Sequence, residues 1–174
     1  MSDASTIWNE LTAGAGRGYQ THPVIDPDDH SPVAVVLTCS DARIPPALVF
    51  DQPRNRLFEV RVAGGLLDAN VREAIDFAVD HLHVPLVVVL GHENCAAMKQ
   101  AVDVRDGTVE SGILPTTTDG LIATIGDATG LEAVRTSVRT TVADLRASLT
   151  ATATVVGAVT HLGSGDLEIV VAAD

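Results

Sequence analysis

Two cysteines and a histidine carry the first chemical signal in this chain. Cys39 follows the apolar run Val33–Thr38, and His92 and Cys95 follow the run Leu86–Leu90 within Gly91-His92-Glu93-Asn94-Cys95. Two thiolates and an imidazole are donors that suit zinc. Three of them leave a fourth tetrahedral position open, the pattern of a catalytic rather than a closed structural site. Either cysteine alone has an ordinary alternative, because free cysteine often packs as a small hydrophobe, and an isolated H-x-x-C is a weak pattern. The joint arrangement points to metal: both cysteines of the chain end apolar runs, one with a histidine three residues before it. Asp41 and Arg43 stand just beyond Cys39. Residues two apart in an extended stretch project to the same side. A guanidinium there keeps the carboxylate ionised and oriented, ready to accept a hydrogen bond or proton from a metal-activated water. The plain alternative is a surface ion pair.

Such a constellation works only if strands bring residues 39 and 92 together. Val33–Thr38 and Leu86–Leu90 read as buried strands, rich in β-branched residues, and Arg56–Val62 as another. Asp68 is placed to cap a helix running to about His83, with Val71, Ile75, Ala78, Val79 and Leu82 on one face, and Pro85 ends it. Asn94 to about Val104 reads as a further helix. Residues 106–130 are rich in Gly, Thr and Asp and read as loop, with at most a short helix near Leu121–Ile125. Leu131–Leu149 is an amphipathic helix with Val134, Val138, Val142 and Leu145 facing inward. Thr154–Leu162 and Leu167–Val171 are strands around the turn Gly163-Ser164-Gly165-Asp166. Alternating strands and helices predict an α/β domain over residues 33–174, with a mainly parallel sheet flanked by helices and an antiparallel edge strand. In open sheets of this kind ligands bind beyond the carboxyl ends of the strands, where Cys39, His92 and Cys95 fall if the two strands are neighbours. Residues 1–32 read as an N-terminal arm, with a short helix near Ser5–Ala13 followed by a Gly-, Pro- and Asp-rich stretch that lies on the body or on a partner.

Composition narrows the partners. The chain has 174 residues, enough for one domain, and 46% are hydrophobic but only 3% aromatic, so the core is aliphatic. Eleven Lys and Arg against 23 Asp and Glu give a net charge of −12. That balance argues against nucleic acid and anionic membrane as partners, because both need a basic face. The chain opens without a basic region and apolar run, and its apolar runs fall short of the ~20 residues of a membrane span. A cytoplasmic protein is expected. In a reducing compartment a pair of cysteines reads as metal, nucleophile or packing before disulfide.

Cys39-Ser40-Asp41-Ala42-Arg43-Ile44-Pro45 together with Gly91-His92-Glu93-Asn94-Cys95 resembles the β-class carbonic anhydrases, with their C-x-D-x-R segment and a later H-x-x-C. The resemblance continues in Phe50-Asp51, Leu57–Gly64, Ala74–Val79 and Gly157-Ala158-Val159. It implies one Zn2+ per chain held by Cys39, His92 and Cys95, and reversible hydration of CO2 to bicarbonate and a proton with zinc hydroxide as nucleophile. It also implies a dyad of Asp41 and Arg43 at the zinc-bound water, and a homodimer or dimer-based homo-oligomer. Zinc held by three neutral histidines brings bound water to a pKa near 7; two thiolates donate more charge, so water here is expected to be less acidic. In one subset of the family the residue matching Asp41 binds zinc itself and the enzyme is off at low pH.

On the substrate side the resemblance points to Ala96, whose N–H opens the helix after Cys95, and to Phe58, Phe77, His30 and Gly64 around the pocket. Several of these positions depart from the family pattern. His30 stands where a glutamine is usual; it is a substitute substrate ligand, a proton shuttle or an ordinary surface histidine. Ala96 replaces a glycine, Phe77 replaces a tyrosine, and the family's Ala-Gly-Asn reads Ala63-Gly64-Gly65. Phe58 and Phe77 also fit as plain core residues. A bicarbonate effector site found in some relatives has its arginine here as Arg61, but Val36 and Thr160 replace its aromatic partners, so that site is not expected. The arm reads Gly14-Ala15-Gly16-Arg17-Gly18 in place of G-N-x-R-F. These departures leave two alternatives open: hydrolysis of COS or CS2 on the same scaffold, and a non-catalytic zinc or bicarbonate-binding protein.

Overall fold

The β-branched runs form a five-stranded sheet in the order β2-β1-β3-β4-β5, with β1 Ala34–Cys39, β2 Leu57–Val62, β3 Leu86–His92, β4 Thr154–Thr160 and β5 Leu167–Val171. This computed structural model describes residues 3–15, 17, 25–110, 112–149 and 153–173. The first four strands pair in parallel and β5 runs antiparallel along the edge of β4, as the sequence predicts. β1 is buried along its whole length, which explains its unbroken apolar character. Its side chains alternate between two cores. Val35 and Leu37 join Val87, Val89, Val155 and Val159 in the larger one, while Val36 joins Val88, Leu90 and Ala158 in a smaller one.

The α-helices among the described residues are α1 Ala4–Gly14, α2 Pro46–Val49, α3 Ala69–Asp76, α4 Ala96–Arg105, α5 Pro115–Ile125 and α6 Gly130–Ser148. Val134, Val138, Val142 and Leu145 of α6 pack into the larger core as expected. A Cβ on Gly91 of β3 would lie 2.6 Å from Val134 Cγ1, so only glycine lets α6 close on the strand that carries His92. Asp68 caps α3, accepting from the Val71 N–H at 2.8 Å.

The structure corrects several boundaries. The helix expected to reach His83 is α-helical only to Asp76 and continues as a π-type turn over Phe77–His81. The segment read as loop contains the eleven-residue helix α5, more than the short helix expected near Leu121–Ile125. Pro115 opens it, and Thr118, Leu121 and Ile125 are buried, so tertiary packing overrides a Thr- and Gly-containing sequence of modest propensity. The short helix α2 and the 3-10 turn Ala63–Gly65 were not anticipated. In the arm, α1 forms as predicted and Asp3 caps it, but none of its residues is buried; residues 16 and 18–24 of the arm lie outside the described residues. No helix among the described residues is long and apolar enough to cross a membrane.

Candidate metal centre

The chain runs from β1 outward to β2, then crosses back to β3 on the other side of β1. The carboxyl ends of β1 and β3 therefore form a topological switch point, the place where open α/β sheets bind ligands. Cys39 is the last residue of β1, His92 the last of β3, and Cys95 the residue before α4. One donor atom from each of the three lies within 4.8 Å of the others, all three residues are buried, and together they could hold a metal ion. The two sulfurs are 4.0 Å apart, about twice a disulfide length, and both cysteines are free.

The histidine shows what the site is built for. His92 is 1% exposed. Its Nδ1 lies 2.9 Å from the Glu93 carbonyl oxygen, which only accepts, so Nδ1 carries the ring proton. Nε2 is then a buried lone pair, and it has no hydrogen-bond partner. Such an orphan costs about 1–3 kcal/mol unless something fills the role of partner. A cation on Nε2 and the two sulfurs fits both the donor set and the orphan. The thiols are unequal without one: the Cys95 S–H pointing at Cys39 pulls the Cys39 thiol well below its ordinary 9.0, and the same contact, with burial, pushes Cys95 up. A bound cation deprotonates both.

Asp41 Oδ2 is 4.0 Å from His92 Nε2. Arg43 grips the carboxylate with a fork, Nε to Oδ1 at 2.9 Å and Nη2 to Oδ2 at 2.6 Å, and the Arg43 backbone N–H also donates to Oδ1 at 2.9 Å. The expected pairing is present, but its cause differs from the expectation: the stretch is a side-chain-stabilised turn, not an extended segment. The fork is the main reason the Asp41 carboxyl stays well below the usual carboxylate range, although the guanidinium itself is half exposed.

Two further groups hold this turn. Arg61 on β2 donates from Nη2 to the Asp41 carbonyl at 2.6 Å and from Nε to the Cys39 carbonyl at 3.3 Å. The sequence alone places Arg61 only as the arginine of an effector site that is not expected here; carbonyl partners leave no signature in a sequence. The Gly64 N–H donates to Cys39 Sγ at 3.3 Å, which gives Gly64 a place beside the sulfur. Its φ of +68° and a virtual Cβ 2.6 Å from Leu121 Cδ1 explain why glycine stands there.

The remaining named positions form a second group. His30, Phe58 and Phe77 make a row of rings with centroids 6.1 and 6.3 Å apart, and His81 extends it at 5.3 Å. Phe58 is partly buried against the core, whereas Phe77 is 48% exposed and so is not the ordinary core residue that was the alternative. Ala96 is exposed at the first position of α4. A cleft of about 610 Å³ opens behind the ligand turn, between α4 and the start of α6, against Cys95, Met98, Leu131 and Val134. None of Asp41, Arg43, Phe58, Phe77 or His30 lines it.

A fold with a buried thiol–thiol–imidazole group at its switch point, flanked by a carboxylate held in a guanidinium fork, defines a metalloenzyme-like α/β domain. A family model described as carbonic anhydrase matches residues 34–167. The chain is 37% identical to a carbonic anhydrase of Mycolicibacterium smegmatis, over 97% of this chain and 94% of that one. It is 37% identical to carbonic anhydrase 2 of Mycobacterium tuberculosis over 116 residues, 60% of this chain and 56% of that protein's length. Its fold is similar to a tetrameric β-carbonic anhydrase of Sordaria macrospora, with a TM-score of 0.76 at 19% identity over 99% and 100% of the two chains. It is also similar to a Coccomyxa β-carbonic anhydrase solved with acetazolamide, with a TM-score of 0.74 at 21% identity over 98% and 85%. This chain belongs to the β-carbonic anhydrase family.

Proposed function

We propose that the protein hydrates CO2 reversibly to bicarbonate and a proton, using one zinc ion per chain held by Cys39, His92 and Cys95. The observation that carries this reading is the buried, unpartnered His92 Nε2 beside two thiols and 4.0 Å from the Asp41 carboxylate. When bound, the ion supplies the Lewis acidity that makes water a nucleophile near neutral pH. The chain's own groups do the rest. Asp41, kept ionised by Arg43, accepts a hydrogen bond from the attacking water and so aims a lone pair at carbon. Arg43 fixes the carboxylate in that orientation through its two-pronged contact. Arg61 and Gly64 hold the Cys39–Asp41 turn still.

On the substrate side, the Ala96 N–H belongs to the first turn of α4, where helix amides lack intrahelical acceptors, and it is assigned to a substrate oxygen. Phe58, in one row with Phe77 and His30, pairs with Val35 at the opposite end of β1 from Cys39, so these rings can serve as an apolar wall for CO2 only at a partner chain's site in a homodimer. A homodimer is part of this reading. It is supported by the apolar side chains left uncovered in one chain: Ile7, Trp8 and Leu11 on α1, and Phe77 beside Phe58.

Stopped-flow CO2 hydration on zinc-loaded protein from pH 6.5 to 9 tests the proposal. Rates above background that rise with pH are expected, and Asp41→Asn is expected to lose activity while keeping zinc. Zinc-loaded wild type with no hydration at high pH overturns the reading.

A further inference from the structure

The turn that carries His92 is tied to the far end of the chain by contacts that neither the ligand set nor the Asp41–Arg43 pair requires. Glu93 follows His92 directly. Its backbone N–H donates to the Thr160 carbonyl at 3.2 Å. Its carboxylate reaches the β4–β5 hairpin, where Oε1 accepts from the Gly163 N–H at 3.0 Å and Oε2 lies 3.4 Å from His161 Nδ1. His161 is backed in turn: its Nε2 is 3.2 Å from Glu168 Oε2, and Arg135 on α6 grips Glu168 through Nε at 2.8 Å and Nη2 at 2.9 Å. Glu93 is thus pinned at its N–H and at both carboxylate oxygens. Its carbonyl is the acceptor for His92 Nδ1–H.

That carbonyl decides two properties of the imidazole. It selects the tautomer that leaves Nε2 unprotonated, and it sets the ring rotation that points Nε2 at the sulfurs. Groups of this kind, one bond beyond a metal ligand, tune retention of the ion because they fix orientation before the ion arrives. The following residue, Asn94, is in the left-handed region at φ +53°, so the turn is conformationally demanding and gains from an external anchor.

We propose that Glu93, anchored by His161 and the Gly163 amide, is a positioning residue for His92, and that the β4–β5 hairpin thereby governs how tightly the metal is retained. The inference rests on the zinc reading of the site. Arg135 and Glu168 act behind it by holding His161 in line.

The test compares wild type with Glu93→Ala, Glu93→Gln, His161→Ala and Arg139→Gln. Arg139 pairs with Glu132, which meets Arg135 only at 3.5 Å while Glu168 takes the Arg135 Nε and Nη2 at 2.8 and 2.9 Å, so Arg139→Gln controls for loss of a neighbouring surface ion pair. Two readouts are taken: the rate of zinc release to excess chelator, and the visible spectrum of the Co2+-loaded protein, which reports ligand geometry directly. Glu93→Ala is expected to release zinc about 10- to 100-fold faster, the usual effect of losing a supporting group, and to shift the Co2+ bands. His161→Ala is expected to move both readouts in the same direction by less. Glu93→Gln keeps an acceptor for the Gly163 N–H and is expected to recover most of the retention, and Arg139→Gln to match wild type. If Glu93→Ala does not fold, His161→Ala, at a partly exposed position, carries the same test. Release rates within about twofold of wild type and unchanged Co2+ spectra in folded Glu93→Ala or His161→Ala overturn the positioning role alone. A wild type that retains no zinc overturns the metal reading together with it.

Discussion

The two turns that present the candidate ligands are held by different kinds of contact. The first, Cys39–Arg43, is closed largely on itself: Arg43 caps Asp41 two residues away, and Arg61 reaches in from the adjacent strand. The second, His92–Cys95, has one local contact, His92 to the Glu93 carbonyl, accepts a hydrogen bond from Arg43 Nη2 at the Asn94 carbonyl, 3.3 Å, and takes its other anchors from residues 160–168. The first turn is a sequence motif that folds as a motif. The second is a short motif that acquires its geometry only when β4 and β5 are in place. Damage to the first should be chemical and local, while damage to the second should be felt through the sheet edge.

The largest break in that comparison removes a donor from either turn. Cys39→Ser and Cys95→Ser should each accelerate zinc release by more than about 100-fold, beyond what loss of a supporting contact costs, when followed with a chromogenic chelator. Equal losses on the two sides would show that the turns, however differently built, share one ion. Next comes Gly64→Ala. Placing an L side chain at φ +68° costs about 1–2 kcal/mol, and forcing its Cβ to within 2.6 Å of Leu121 Cδ1 adds about 1–3 kcal/mol of overpacking. Urea unfolding should therefore show a loss of several kcal/mol, with α5 displaced from the first turn.

A finer cut separates position from stability. Arg61→Gln removes charge-assisted hydrogen bonds to the Asp41 and Cys39 carbonyls, each worth roughly 1.5–3 kcal/mol. The expected outcome is a fall of about tenfold or more in kcat/KM for CO2 with zinc content unchanged, measured by stopped flow beside metal analysis. If zinc is lost in parallel, Arg61 holds Cys39 more than Asp41, and the first turn is less self-contained than its hydrogen bonds imply.

The same asymmetry explains what sequence reading could reach. The strand ends, the three donors and the Asp41–Arg43 pair were legible because apolar runs, residue type and spacing of two or three positions encode them. The first half of helix α5 was missed because Thr116-Thr117-Thr118-Asp119-Gly120 has the composition of a loop; the burial of Thr118, Leu121 and Ile125 against neighbouring helices decides its state. Pro115 at its first position was the available signal. Arg61 and Glu93 were read past for a different reason. Their partners are a pair of carbonyls in one case and a hairpin some seventy residues away in the other, and a single sequence records neither. His30 and Phe77 were legible as departures from a family pattern, but their exposure in one chain belongs to tertiary structure alone.

The smallest expected effect concerns the outer end of the second turn's support. Arg135, gripping Glu168, is the main reason that carboxyl is held below its ordinary 4.5, with His161 contributing further. A carboxyl whose value is lower in the folded than in the unfolded chain binds fewer protons when folded. The pair therefore adds stability that is fully present above about pH 4.5 and is lost as pH falls through the lowered folded value. Glu93 is lowered in the same sense, chiefly by the Gly163 N–H, so the hairpin should loosen from the ligand turn over the same acid range. Glu168→Gln removes one of these two titrations without changing the shape of the side chain. Thermal melts of metal-free protein from pH 6 to 3 should show a lower Tm than wild type at pH 6 and a shallower acid slope, the two curves converging toward pH 3. Because Glu168 is a third exposed and solvent screens its ion pair, the difference at pH 6 should be small. Parallel curves at every pH would place the acid sensitivity of the fold elsewhere, and would leave Arg135 as a packing contact on α6 with no electrostatic hold on the hairpin.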